Sequence, residues 1–211
     1  MLRSLRSAIL KIMKTLYLIS VTLVLCGCSA NIKKVLDFPN TRQTFEYSCG
    51  SGAVQAVMAY YGKDFRESQL IDLLKTDKTN GTLVRDIVKV FTSAGLQVDV
   101  KEHMTVDELF GYVKRKVPVI ALIQAWGKAV DFDGHYKDKW DDGHFVVVIG
   151  YNSKNVICSD PALFKKGFIP IQEFMDRWHD YDEGETKTYQ MGLAVYGLKP
   201  VFEYKSLARI K

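Results

Sequence analysis

The chain has 211 residues, 29 Lys and Arg against 24 Asp and Glu, and a hydrophobic fraction of 47%. These proportions exclude a disordered polymer and suffice for one domain with a sizeable core. The formal charge of +5 would suggest an acidic partner, but the first 27 residues hold four of the bases and none of the acids. The remainder has 25 bases against 24 acids, a net of +1, and a nucleic-acid partner is excluded.

Arg3, Arg6, Lys11 and Lys14 lead into an apolar run from Leu16 to Leu25, which closes on Cys26-Gly27-Cys28-Ser29. About ten apolar residues are too few to span a bilayer, so the segment reads as a secretory signal. Its Leu-x-Gly-Cys ending resembles the lipobox of bacterial lipoproteins. That resemblance implies cleavage after Gly27 and diacylation of Cys28. Ser29 at the following position implies delivery to the outer membrane, facing the periplasm, in a Gram-negative host. An uncleaved anchor helix is the alternative, and Met13 is an alternative start. The expected plan is a signal over 1–27, a lipidated tether over 28–40, one domain over 41–199 and a tail over 200–211. Of the 4 Cys, cleavage removes Cys26, leaving Cys28, Cys49 and Cys158. Cys49 and Cys158 are either a disulfide or, with Cys158 in an apolar β-type run, a reactive thiol and a buried one.

In chain order, Gly50–Tyr61 reads as a helix ended by Gly62, and Glu67–Lys75 and Leu83–Ala94 as amphipathic helices. Leu96–Lys101 alternates as a strand, and Thr105-Val106-Asp107-Glu108 is a capping box opening a helix to about Lys114. Pro118–Gln124 is apolar and β-branched, a buried strand, and Trp126–Gly143 is a charged loop. Phe145–Tyr151 and Val156–Ser159 are strands around the turn Asn152–Asn155. Ile171–Trp178 reads as a short helix and Met191–Leu198 as a last strand. Helices early and strands late predict an α+β fold with an antiparallel sheet.

The hairpin has chemical content. Two strands closing on Asn152–Asn155 pair residues whose numbers sum to roughly 304–307 in simple antiparallel register. His144 and Asp160 then meet at its open end, where the carboxylate fixes the imidazole tautomer. Cys49 heads the first helix, whose free N–H groups favour a thiolate. Gln43, six residues before Cys49, is placed to donate an amide N–H to an oxyanion. The lesser candidates are structural. His135 among Asp131, Asp133, Asp138, Asp141 and Asp142 lacks EF-hand spacing and reads as a solvated loop bordering the cleft. His103 is expected at the surface, and His179 at a helix end, capping carbonyls. Tyr47, Trp126 and Trp140 either line the cleft or pack.

Gln43-x5-Cys49-Gly50, the run Gly143-His144-Phe145-Val146-Val147 with Gly150-Tyr151, and Asp160-Pro161 together resemble the bacteriocin-processing double-glycine peptidases of the papain-like clan. The resemblance covers about Thr41–Leu198. It implies a papain-like fold and cleavage of peptide bonds after Gly-Gly, with Cys49 as nucleophile, His144 as base, Asp160 as orienter and Gln43 as oxyanion donor. No cofactor or metal is implied. Family members are often fused to a peptide exporter facing the cytoplasm, whereas a lipobox directs this domain outward, as in stand-alone members. The expected partners are a peptide or protein substrate and, through the lipid, a membrane; the expected state is a monomer. A cell-wall endopeptidase or amidase, and a non-catalytic peptide-binding or export accessory domain, remain open alternatives.

Overall fold

The computed structural model describes residues 32–127, 135–184, 186–205 and 207. The expected signal, Cys28, Asp131 and Asp133 lie outside these residues. From Ile32 onward the chain forms one compact unit. Its α-helices are α1 (Cys49–Tyr60), α2 (Glu67–Leu74), α3 (Val84–Ser93), α4 (Val106–Lys114) and α5 (Ile171–Arg177). Its strands are β1 (Ile32–Val35), β2 (Gln97–Lys101), β3 (Val119–Gln124), β4 (Gly143–Asn152), β5 (Asn155–Ser159), β6 (Gly167–Pro170), β7 (His179–Asp182), β8 (Thr186–Tyr189) and β9 (Gly192–Tyr196).

Among the described residues, seven strands make one antiparallel sheet in the order β2-β9-β3-β4-β5-β6, with β1 added to β4. β7 and β8 form a separate two-stranded ribbon. The fold is α+β with a large antiparallel sheet, as the sequence predicts. All of β3 is buried, so both of its faces are covered. β4 is the longest strand and the organising one. β3 occupies one of its edges from Gly143 to Val148, and β1 continues along that edge from Gly150 to Asn152. β5 runs along the other, with Val147 opposite Ser159 and a one-residue shift between Val148 and Gly150. Gly150 is needed there: a Cβ would lie 2.7 Å from the Lys34 carbonyl oxygen, against the β1 backbone.

The ends of the unit depart from expectation. The tether expected over 28–40 is integral to the fold from Ile32: β1 joins the sheet, Leu36 and Phe38 are buried, and the Leu36 N–H donates to the Ile149 carbonyl at 2.8 Å. The two lysines of Ile-Lys-Lys-Val conceal a strand whose partner lies far away in sequence. The tail also packs. Val201 and Phe202 N–H groups donate to the Tyr60 carbonyl at the end of α1, and Tyr204 N–H donates to Asp37. Phe38 meets Tyr60 with ring centroids 5.0 Å apart.

α1 has no side-chain cap, but it is buried along most of its length and packs on β4. The loop before it is tied to α2 by one buried carboxylate. Glu67 accepts from the Thr44 N–H at 3.0 Å, from the Thr44 hydroxyl and from the Ser48 hydroxyl at 2.7 Å. If residues 32–38 belong to the core, Phe38→Ala should lower the unfolding free energy by about 3–5 kcal/mol. Urea denaturation measures this; an unchanged midpoint would restore the free tether.

Candidate active site

Cys49 is the first residue of α1, His144 the second of β4, and Asp160 follows the end of β5. The hairpin register sums to 306 and 307, within the expected range, and its ladder starts at Val147 and Ser159. His144 and Asp160 lie just beyond that start, and His144 Nε2 is 2.7 Å from Asp160 Oδ1. The other ring nitrogen is left for Cys49, whose thiol lies close enough to the imidazole for each to shift the other's titration. The structure thus brings together the thiol, the imidazole and the carboxylate singled out in the sequence.

Their electrostatics follow from burial opposed by pairing. Burial alone would raise the Cys49 thiol, but the His144 hydrogen bond and charge, with the Phe145 and Gly50 N–H groups, hold it below its ordinary value. Burial would likewise lower His144, and Asp160 and Cys49 instead raise it to about 9. Asp160, against the pull of burial, is held low by His144 and by the Ala162 N–H at 2.8 Å. All three directions favour the charged forms, thiolate, imidazolium and carboxylate. Cys158 has no such partners. It is free, buried and pushed well above its ordinary value by burial and the Asp160 charge.

Close approach of three segments makes the row possible. A Cβ on Gly52 would lie 2.9 Å from Pro161 and 3.5 Å from Gln43, and the Gln43 N–H donates to the Pro161 carbonyl. The bare side of the first turn of α1 therefore admits both the Asp160 loop and the Gln43 segment. Gln43 itself is committed within its own loop. Its Nε2 donates to the Phe45 and Glu46 carbonyls at 2.8 and 3.1 Å, and its Oε1 is buried without a partner among the described residues. Donating to an oxyanion would mean exchanging one of those carbonyls.

Gln124 supports the His144 strand from the neighbouring strand β3, opposite Gly143. Its Oε1 accepts from the Asp142 N–H at 3.1 Å, while its Nε2 donates to Asp180 Oδ1 at 2.9 Å and to the His179 carbonyl. Asp180, pushed up to about 6 chiefly by burial, abuts Gly143 so closely that a Cβ there would be 1.9 Å from its Oδ2. Neither residue stood out in the sequence; a Gln inside an apolar strand was the available signal. Asp180 belongs to a cleft of about 280 Å³ beside Cys49, whose walls also carry Asp141, Asp182, Glu183 and Trp140. Trp126 covers the opposite side, its ring 5.1 Å from the imidazole, and borders an apolar groove with Leu163 and Phe168.

The remaining aromatics and histidines have mostly structural places. Tyr47 stacks on Phe45 at 5.3 Å. His103 is exposed as expected, beside Tyr189. His179 does not cap a helix: it starts β7, is bonded to the Lys139 carbonyl at 2.7 Å and packs on Trp140. The helix before it already ends at Arg177, which leaves His179 to pin the acidic loop. The His135 backbone opens a short 3₁₀ turn.

Three solved structures share this arrangement of elements. A C39-like peptidase from Bacillus anthracis superposes with a TM-score of 0.59 at 14% identity, covering 79% of this chain and 98% of that one. The peptidase domain of Streptococcus ComA, a bifunctional ABC transporter of a quorum-sensing pathway, gives 0.54 at 20%, covering 74% and 96%. A double glycine motif protease from an AMS/PCAT transporter, solved with its leader peptide, gives 0.51 at 19%, covering 76% and 91%. At these identities the likeness is one of fold. A stretch of 116 residues, 54% of this chain, is 23% identical to isoleucine–tRNA ligase of Thermotoga neapolitana. It spans only 13% of that enzyme and lends this chain none of its activity. The family itself is shown by sequence over a larger span: residues 35–185 match the Peptidase_C39 like family, and the chain belongs to it.

Proposed function

We propose that this chain is a cysteine peptidase that hydrolyses peptide bonds through a Cys49 thioester. One observation carries the reading: a buried imidazole bonded to Asp160 and flanked by the thiol that heads α1. Cys49 Sγ attacks the scissile carbonyl carbon, and the displaced electron pair goes to the carbonyl oxygen. Free N–H groups in the first turn of α1, with Gln43 after rotation, receive that charge. Collapse breaks the C–N bond, and the imidazolium of His144 gives its proton to the departing amine. His144 then takes a proton from water, which attacks the thioester and regenerates the thiolate. Asp160 holds the ring throughout.

Kinship with a double glycine motif protease supports cleavage after Gly-Gly in a leader-like peptide. A cell-wall endopeptidase is the second reading. Asp141, Asp180, Asp182 and Glu183 around the cleft favour it, since they suit a substrate bearing a free amine. We further propose lipid anchorage at Cys28 and placement in the cell envelope, on the strength of the Leu25-Cys26-Gly27-Cys28 ending. A lipid analogue fed to cells should then label the wild type and not Cys28→Ala. Label surviving that change would remove the anchor.

The charge row sets the pH behaviour. Cys49, held below its ordinary value, loses its proton before an ordinary thiol, and His144, held up, keeps its proton to about pH 9. Iodoacetamide should therefore alkylate Cys49 far faster than Cys158 at neutral pH, and peptide turnover should decline as pH rises through about 9. Equal alkylation of the two thiols in the folded protein would refute the ion pair.

Two variants separate the supporting roles. Gln43→Ala should reduce kcat by roughly 10²–10³ with alkylation of Cys49 nearly unchanged. Asp160→Asn should depress both, because it misorients His144 and weakens the imidazolium. Normal turnover in Gln43→Ala would reduce Gln43 to a loop residue, and normal alkylation in Asp160→Asn would deny Asp160 its role.

A further inference from the structure

The segment Leu163-Phe164-Lys165-Lys166-Gly167-Phe168 runs from the Asp160 turn into β6, an edge strand of the sheet. It places large apolar side chains in the open: Phe164 is 79% exposed and Phe168 68%. Neither exposure follows from packing. Phe164 is held only from one side, by the Arg42 guanidinium 3.7 Å from its ring centre, while Asn40 donates to its carbonyl. Trp126, also more than half exposed, borders the groove that Leu163 and Phe168 line. Aromatic rings beside Lys165, Lys166 and Arg42 are the composition that settles at the boundary between headgroups and acyl chains.

The chain preceding the fold argues for a bilayer as the occupant. Lys166 Nζ donates to the Leu36 carbonyl at 3.2 Å, which fixes the loop beside Leu36. Cys28 is eight residues before Leu36 in sequence. Eight residues reach no farther than ~29 Å, so a lipid on Cys28 confines this loop to the immediate neighbourhood of the membrane. Under that confinement even a weak second contact is intramolecular and is populated far beyond its free affinity. Charge complementarity agrees: Lys165 and Arg42 flank the exposed rings, while Lys166 is turned to the Leu36 carbonyl and the Asp37 charge.

We infer that Phe164 and Phe168, flanked by Lys165, Lys166 and Arg42, form a second membrane contact that seats the domain on an anionic bilayer. The inference rests on the lipid anchor proposed above. The anchor supplies attachment, and the loop supplies orientation. It turns the Trp126 side of the site toward the lipid and the acidic cleft away from it.

Trp126 is the built-in reporter, since Trp178 is fully buried and Trp140 lies across the site in the acidic cleft. The full lipidated protein is reconstituted in vesicles of phosphatidylglycerol and phosphatidylcholine, with and without brominated acyl chains. Brominated lipid should quench an emission component that Trp126→Phe abolishes. Phe164→Ser/Phe168→Ser should lose that quenching while keeping its lipid label and its melting temperature. Quenching unchanged in the double variant, or none in a protein whose Cys28 carries lipid, would overturn the contact and leave the anchor standing. Quenching that disappears only when excess apolar peptide is added would assign the patch to peptide and overturn the contact too. A Cys28 without lipid would remove the tether, and both readings would fall together.

Discussion

A buried imidazole must find partners for both ring nitrogens, and the architecture around β4 answers that demand. His144 has almost no exposed surface, and an unpaired charge there would cost several kcal/mol. Asp160 satisfies one nitrogen and Cys49 the other, and each arrives on a different piece of chain. The β4–β5 hairpin delivers the carboxylate by register alone. The thiol needs more: a helix start packed on β4, a bare first turn at Gly52 that admits Pro161, and the Glu67 carboxylate gathering the Thr44–Ser48 loop. Remove any of these and the imidazole loses a partner, so the charge row and the fold stabilise each other.

The two flanks of that row differ in chemistry. On one side Asp141, Asp180, Asp182 and Glu183 wall a polar cleft; on the other, Trp126, Leu163 and Phe168 border an apolar groove. Gln124 and Asp180 join the cleft wall to the root of the His144 strand, so the polar surface beside the thiol is fixed to the strand that carries the imidazole.

Local signals were legible in the sequence and distant ones were not. The helices at Cys49, Glu67, Val84 and Val106 and the strands β2 to β5 and β9 lie within about two residues of their periodic or capping patterns, as boundary fraying allows. The His144–Asp160 contact was derivable because a short turn sets it. Four strands escaped. β1 carries two lysines and pairs across a long sequence gap; β6 is four residues between Lys166 and Ile171; His-Asp-Tyr-Asp and Thr-Lys-Thr-Tyr, the β7–β8 ribbon, are too polar to show a buried face. Trp126, left between lining and packing, stands against the imidazole. Gln43 was singled out by spacing alone, and its amide proves to be bound to its own loop. Spacing along a chain says nothing of which carbonyls compete for a donor.

The strand order has a kinetic consequence. β9 is the last strand in sequence, yet it lies between β2 and β3, with Gln97 opposite Tyr196 and Val119 opposite Ala194. Until Tyr196 is available, β2 has no neighbour and β3 presents a raw apolar edge, the kind that pairs with other chains. Pairings this remote in sequence close slowly. A chain threaded outward from its N-terminus would therefore hold the Cys49 helix beside an unfinished sheet until β9 had emerged. The thiol, the imidazole and the carboxylate thus meet on a framework that β9 completes from far along the chain.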